Sequence, residues 1–168
     1  LYSERIYRAR LKLQQLIDDP VLSVSCGGFA LDALRRAKGE TPTELLASRL
    51  DADETGASLK AVEDLAQEVG LDYRLGKRPK GAELVLPCVV HWKAGHYSTI
   101  TRAEDGRYLV DDPTIEGRYW ISRQALDEES SDYFLIPNEA PASWAHVEEA
   151  KKGQRQKRDK SYYMWTSA

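Results

Sequence analysis

Apolar residues in the first quarter of the chain recur at the spacing of α-helices. They predict a leader helix over residues 1–20, which Asp18-Asp19-Pro20 brings to an end. After a loop at 21–25, a second helix starts at Cys26 and stops at Gly39, because glycine readily adopts the left-handed conformation that ends helices. The apolar faces of these two helices consist of Ile6, Ala9, Leu13, Leu16 and Ile17, and of Ala30, Leu31, Leu34 and Ala37.

Two further helices are predicted from their capping signals. Thr41-Pro42-Thr43-Glu44 has the form of a capping box, so a third, short helix is expected to run to about Leu50. Ser58 is the expected N-cap of a fourth helix, which Gly70 ends. The apolar face of the fourth helix consists of Leu59, Val62, Leu65, Ala66 and Val69.

From Leu71 onward the apolar period becomes that of β-strands. Short β-rich runs are separated by Gly, Pro, Asp or Lys, and Glu104-Asp105-Gly106 is a hairpin signal between two of them. Helices that precede an antiparallel sheet indicate an α+β fold rather than alternating β-α-β units. Over residues 139–168 the apolar period is lost, which indicates a charged linker or tail. The runs are LDYRL, ELVLPCVVHW, HYSTITRA, GRYLVDDP, RYWIS and DYFLIP.

Length and charge narrow the class of protein. With 168 residues and a formal net charge of −3, the chain fits one domain with a mixed-sign surface, so we expect no nucleic-acid partner. The absence of a long apolar run predicts no direct insertion into a membrane. The chain begins at Leu1, so we expect it to be part of a longer polypeptide. We expect a cytoplasmic domain, and a parent protein that is exported or membrane-associated stays open.

Cys26 is the candidate nucleophile. A cysteine thiol, whose pKa is about 8.5, is mostly protonated at neutral pH, so a nucleophilic cysteine needs a nearby imidazole. His96, at the start of a strand after a turn, is the candidate base. Asp112 ends the next strand, and the hairpin would put it within hydrogen-bond reach of His96. The helix that starts at Cys26 would deliver the thiol there, and its dipole would favour the thiolate.

Other residues of similar chemistry are weaker candidates for these roles. Asp111 is the rival for the acid, but strand alternation directs it to the opposite face from Asp112. His91 lies inside an apolar run, where a packed core residue is the ordinary explanation, and His146 lies in the tail.

The two cysteines are expected to be reduced thiols rather than a disulfide. Cys88, His91 and His96 have spacings that could suit zinc, but ligands drawn from one apolar strand lack the usual second pair. We therefore expect no metal and no other cofactor.

Three segments together resemble a known family: SCGGFALDALRRAKG, GASLKAVEDLAQEVGL and LPCVVHWKAGHYSTITRAEDGRYLVDDPTIEG. In order and spacing they are similar to the bacteriocin-processing cysteine peptidases that form the N-terminal part of peptide-exporting ABC transporters. The resemblance implies a papain-like α+β fold over residues 21–138 and cleavage of leader peptides after two glycines. It also implies that Cys26 is the nucleophile, His96 the general base and Asp112 the orienting acid, with His91 at a non-catalytic position.

One position departs from the family pattern. The family usually has a glutamine six positions before the nucleophile, where its amide helps to hold the oxyanion, but this chain has Pro20 there. We expect the backbone N–H of Cys26 to supply one oxyanion donor and Gln15, in preference to Gln14, to supply the other.

The expected function is that of a cysteine endopeptidase acting after small residues such as Gly-Gly, in leader processing or autoprocessing. Its partner would be a peptide or protein substrate, either separate or in cis within a larger polypeptide. Two alternatives stay open, a catalytically weak peptide-binding module and a transglutaminase-like acyl transferase. Gly27 stands where the transferases commonly have a tryptophan after the nucleophile.

Overall fold

The computed structural model describes residues 11, 20–50, 57–114 and 117–146. The leader helix predicted over residues 1–20 lies outside the described residues except for Leu11 and Pro20, which are helical. The helices are α1 (Pro20–Ala37), α2 (Leu59–Glu68) and α3 (Arg123–Glu129), and one 3₁₀ turn covers Leu46–Arg49. The strands are β1 (Tyr73–Lys77), β2 (Cys88–Trp92), β3 (His96–Glu104), β4 (Arg107–Asp112), β5 (Gly117–Ser122), β6 (Ser130–Pro137) and β7 (Ala145–His146).

The described strands form one antiparallel sheet in the order β5-β4-β3-β2-β6-β1-β7. Because α1 and α2 precede every strand, the predicted α+β class is confirmed. The predicted hairpin turn also forms, since Glu104 pairs with Arg107. Asp105 and Gly106 between them have φ values of 51° and 71°, the positive values that a two-residue hairpin turn needs.

The sheet separates two hydrophobic cores. On one face, α1, the 3₁₀ turn and α2 pack on alternate residues of the inner strands, such as Val89 and Leu135. On the other face, Leu126 of α3 packs with the residues that alternate with these, such as Val90 and Phe134. Strand residues point alternately to the two faces, so both covered faces are apolar.

The start of α1 differs from the prediction. The helix begins at Pro20, so residues 21–25 are helical rather than a loop, and Cys26 lies in the second turn rather than the first. Proline ends a preceding helix but is also favoured at the first position of a new one, and sequence periodicity does not separate the two roles. The N–H of Cys26, the predicted backbone oxyanion donor, therefore lies one turn further from the helix N-terminus than predicted.

The third predicted helix is also wrong in its start and type. The segment forms only the 3₁₀ turn Leu46–Arg49, without a side-chain cap, so the capping box at Thr41 has no helix to cap. A contact with α1 holds the segment instead, because the buried Asp32 carboxylate accepts a hydrogen bond from the Leu46 N–H at 2.9 Å. Long-range contacts have overridden a local signal.

Capping explains α2 and α3. Ser58 caps α2 as predicted, its hydroxyl accepting the Ala61 N–H at 3.1 Å, and Gly70 follows the helix with φ +81°. Ser122 caps α3, which the sequence analysis did not predict. Of the α3 residues only Leu126 is buried, and a single apolar contact produces no periodic signal. No helix among the described residues is long and apolar enough to cross a membrane.

Residues 139–146, which the sequence analysis assigned to the tail, pack on the sheet. Trp144 is buried, and its ring meets that of Phe134 edge-on with centroids 5.5 Å apart. Arg74 donates a hydrogen bond to the Trp144 carbonyl at 2.8 Å, and β7 pairs with β1. An isolated buried tryptophan in a polar stretch leaves no periodic pattern.

Gly28 allows α1 to touch the backbone of the 3₁₀ turn, and we expect Gly28→Ala to destabilise the protein. A Cβ at this position would lie 2.3 Å from the Cα of Ala47. Alanine improves helix propensity by about 1 kcal/mol, but overpacking against backbone costs about 1–3 kcal/mol. The free energy of unfolding measured in urea should therefore fall despite the better helix former.

Gly27→Ala is the matched control. Its Cβ would meet flexible side-chain atoms, at 2.9 Å from Val62 Cγ2 and 3.0 Å from Leu50 Cδ1, which can move by a few tenths of an ångström. Its effect on the free energy of unfolding should be the smaller of the two. Equal losses for both variants would contradict the close approach at Gly28.

Candidate active site

Two consecutive hairpins bring His96 to one end of the sheet. The turn at residues 93–95 joins β2 to β3, with Gly95 at φ +79° donating its N–H to the Trp92 carbonyl at 2.9 Å. Trp92 then pairs with His96 across the ladder. The imidazole is therefore carried by the first residue of β3, directly after a tight turn.

A β-bulge in β3 decides which residue of β4 stands near the imidazole. On the far side of the bulge from the hairpin turn, Thr99 pairs with Asp111. This shift of one residue brings Asp112 beside Ser98, whereas unbroken pairing from the turn would put it opposite Thr99. Bulges re-aim side chains in this way. The bulge therefore places Asp112 two residues along β3 from His96.

Asp112 is fully buried and accepts four hydrogen bonds. Its Oδ2 accepts from His96 Nε2 and from the Ser98 hydroxyl, both at 2.6 Å. Its Oδ1 accepts from the Thr114 hydroxyl at 2.6 Å and from the Thr114 N–H at 3.1 Å. Burial by itself raises the pKa of Asp112, but the charge of His96 and these hydrogen bonds lower it below its usual value. The carboxylate is ionised in its buried site.

Cys26 is buried on α1, and its side chain is hydrogen-bonded to His96. Because Nε2 is bound to Asp112, Nδ1 is the ring nitrogen left for the sulfur. Burial by itself lowers the pKa of His96, but the charges of Asp112 and Cys26 and the hydrogen bonds to both raise it to about 10. The imidazole is protonated at neutral pH, which favours a thiolate–imidazolium pair.

A side chain of β3 fixes α1 against the sheet close to this pair. The buried Thr99 hydroxyl donates to the carbonyl oxygen of Ala30 at 2.6 Å, one helical turn beyond Cys26. Thr99 is three residues from His96 on the same strand. The same short stretch of β3 thus holds both the imidazole and the helix that carries the thiol.

The rival acid and the second histidine point elsewhere. The Asp111 carboxylate lies 3.6 Å from the Arg118 guanidinium, on the side of the sheet to which Thr99 points. The His91 Nδ1 lies 2.7 Å from the Ser131 hydroxyl. Burial, and then the charge of His96, lower the pKa of His91 to about 4, so this imidazole is neutral.

The remaining candidates lie apart from this constellation or outside the described residues. His146 is on β7, and its Nε2 lies 3.6 Å from a carboxylate oxygen of Glu63 on α2. Cys88 is buried in the other core, where burial raises its pKa, and it forms no disulfide with Cys26. Among the residues that the structure describes, no three His, Cys, Asp or Glu side chains form a group able to hold a metal ion. Gln14 and Gln15 fall outside them.

Sequence reasoning did not single out three residues of the constellation. Ser98 lies two positions after His96 on one strand, so the period of two could have indicated it. Thr114 lies two positions after Asp112, in the Asx-turn pattern in which a carboxylate accepts from the backbone two residues on. Trp92 donates its indole N–H to the Ser98 hydroxyl at 2.8 Å, a contact with no signal in the sequence.

Comparisons with known proteins show which family the chain resembles. The sequence model of the Peptidase C39 family matches residues 21–142 of this chain. The chain is 30% identical over 120 residues to the probable microcin-H47 secretion/processing ATP-binding protein MchF of Escherichia coli. It is 33% identical over 81 residues to the colicin V secretion/processing ATP-binding protein CvaB of the same organism. These matches cover 67% and 47% of this chain but only 15% and 11% of the relatives' own lengths.

Solved structures show the same fold. A double glycine motif protease from an AMS/PCAT transporter, in complex with its leader peptide, superposes with a TM-score of 0.58 at 21% identity, covering 67% of this chain and 83% of that one. The peptidase domain of Streptococcus ComA, a bifunctional ABC transporter, superposes with a TM-score of 0.55 at 17% identity, covering 68% and 92%. The family match extends over most of the chain and over every element of the constellation. The chain therefore belongs to the Peptidase C39 family.

Proposed function

We propose that this family member is a cysteine endopeptidase in which Cys26 is the nucleophile, His96 the general acid and base, and Asp112 the orienting acid. The observation that carries the proposal is the continuous hydrogen-bonded chain from Cys26 through His96 to Asp112. A protonated imidazole beside a thiol, with a buried carboxylate behind it, is the arrangement that cysteine peptidase chemistry requires.

The steps follow from these groups. The Cys26 thiolate attacks the carbonyl carbon of the scissile bond, and the π electrons move onto the carbonyl oxygen to give a tetrahedral oxyanion. The intermediate collapses as the C–N bond breaks, and His96 gives its Nδ1 proton to the leaving amine. His96 then takes a proton from water, which attacks the thioester and releases the acid product. The thiolate–imidazolium pair is restored, while Asp112 holds the ring throughout.

The oxyanion needs at least two hydrogen-bond donors, and the backbone N–H of Cys26 is the first that we propose. A side-chain amide is a suitable second donor, because oxyanion holes commonly use Asn or Gln side chains beside backbone N–H groups. Gln15, which precedes α1, is our proposed donor, with its neighbour Gln14 as the second choice.

The proposed substrate is a peptide leader cut after Gly-Gly. A structural neighbour is a double glycine motif protease in complex with a leader peptide, and two sequence relatives are secretion/processing proteins. The substrate would be either a separate peptide, cleaved in leader processing, or a segment of the same longer polypeptide, cleaved in autoprocessing.

Exchanging Asp112 for asparagine tests the acid. The amide can stabilise the wrong imidazole tautomer, so Asp112→Asn should lower turnover of a Gly-Gly peptide about 10³–10⁴-fold. Asp111→Asn is the adjacent control. Its turnover should stay close to that of the unaltered chain, because Asp111 faces Arg118. Turnover is followed by chromatography of the cleaved peptide, with circular dichroism to check folding. The reverse ranking of the two variants would move the acid to Asp111.

Selective alkylation tests the nucleophile. At pH 6 iodoacetamide should label Cys26, which lies beside a charged imidazolium, at least about tenfold faster than Cys88. Burial raises the pKa of Cys88 and keeps it protonated. Both cysteines are almost equally excluded from solvent, so the difference in rate reports the charge beside the sulfur. Peptide mapping by mass spectrometry gives both rates on one sample. Equal labelling of the two thiols would remove Cys26 from the role.

Turnover by the glutamine variants tests the proposed oxyanion donor and also distinguishes an enzyme from a peptide-binding module. If Gln15 holds the oxyanion, Gln15→Ala should lower turnover of a Gly-Gly peptide by about 10²–10³-fold, with Cys26→Ala as the blank. Gln14→Ala is the matched control and should change turnover little. Unchanged turnover in Gln15→Ala would exclude that role. Peptide binding without any turnover above the blank would identify a peptide-binding module instead.

A further inference from the structure

We propose that Ser98 and Trp92 are positioning residues, which act through Asp112 to hold His96 in its productive orientation. The inference rests on the proposed function and assigns two residues to its support. The indole N–H, the hydroxyl and the carboxylate form a second hydrogen-bonded chain that meets the first one at a single atom, Asp112 Oδ2.

The direction of this second chain is fixed by chemistry. Trp92 Nε1 lies 2.8 Å from the Ser98 Oγ, and an indole nitrogen can only donate, so the serine oxygen accepts. A hydroxyl has one proton, and the Ser98 Oγ lies 2.6 Å from Asp112 Oδ2, an ionised oxygen that can only accept. The hydroxyl proton therefore points at the carboxylate, and Trp92 prevents it from rotating away.

The contact of Ser98 affects His96 because both side chains bind the same oxygen, Asp112 Oδ2. Asp112 Oδ2 receives both the His96 Nε2–H and the Ser98 hydroxyl, while Thr114 occupies the other oxygen. Without Ser98, only the imidazole would hold Oδ2, and the carboxylate would be less restrained against turning about its Cβ–Cγ bond. A displaced carboxylate stabilises the imidazolium less, and fewer molecules would then hold the thiolate of Cys26.

Packing alone does not account for Ser98. Ser98 is 1% exposed, and a buried hydroxyl costs free energy unless it has a partner. Ser130, which pairs with Trp92 across the ladder, is equally buried, and its hydroxyl has no hydrogen-bond partner among the residues that the structure describes. The same sheet thus contains a serine bonded to Asp112 and, beside the same tryptophan, a serine without that bond.

The test compares these two serines. Ser98→Ala should lower kcat for a Gly-Gly peptide about tenfold, as expected for one hydrogen bond to a charged group. KM should stay unchanged because Ser98 is buried and its hydroxyl is bonded to Trp92 and Asp112. Ser130→Ala removes the same buried hydroxyl without touching Asp112, so kcat should stay within about twofold. Thermal unfolding of both variants checks folding. Equal losses of kcat, or a loss only in KM, would overturn the proposal.

Trp92→Phe tests the second link. It keeps an aromatic ring but removes the N–H donor, so kcat should fall by a smaller factor, about threefold. Since Trp92 acts only through Ser98, the double variant Trp92→Phe/Ser98→Ala should be as slow as Ser98→Ala alone. Multiplied losses would show that the two residues act independently and would overturn the relay.

Alkylation of Cys26 keeps this inference separate from the proposed peptidase activity, because it needs no peptide turnover. Ser98→Ala should slow iodoacetamide labelling of Cys26 at pH 6 about threefold or more, while Ser130→Ala should not. If the chain cleaves no peptide but shows this difference, the peptidase proposal fails and the positioning role stands. Equal labelling rates in the two variants would overturn the positioning role, whether or not the peptide is cleaved.

Discussion

The buried pairing of His96 with Asp112 is the constraint that the surrounding structure must satisfy. Both side chains are almost completely removed from water, at 4% and 2% exposed. An uncompensated charge in such a place costs several kcal/mol, and removing either partner would leave the other without its counter-charge. Ser98 and Thr114 complete the hydrogen bonding of the carboxylate, and Cys26 bonds the imidazole. A slip of one residue in the register of β3 against β4 would therefore separate the two side chains and leave a buried charge without its partner.

The thiol meets that pair only because α1 is fixed at more than one point. The Thr99 hydroxyl binds the Ala30 carbonyl where α1 crosses β3. On another side, Asp32 binds the Leu46 N–H. Gly28 brings the helix into direct contact with the 3₁₀ turn. These attachments all lie within two turns of Cys26, so a rigid helix transmits them to the sulfur. The local fold around the constellation is thus set by contacts between elements distant in sequence.

Local signals in the sequence were sufficient where one residue type decides the conformation. Ser58 as a cap and the turn at Asp105-Gly106 each depend on neighbours within a few positions, and both formed as predicted. Local signals failed where a distant partner decided. The capping box at Thr41 did not form a helix, because the segment is held by the hydrogen bond from Leu46 to Asp32. The helix α3 was not predicted, because one buried leucine produces no periodic pattern.

By itself the sequence determined the α+β class, the order of helices before strands and the identity of the residues able to do thiol chemistry. Periodicity and turn chemistry are local properties, and the chemistry of a Cys, His or Asp side chain is known from the residue type alone. Tertiary structure alone decided that α1 starts at Pro20, that the bulge in β3 turns Asp112 toward Ser98, and that Trp92 closes the second hydrogen-bonded chain. Each depends on which strand or helix lies alongside, because a hydrogen bond across a sheet is set by register and not by the spacing of residues along one strand.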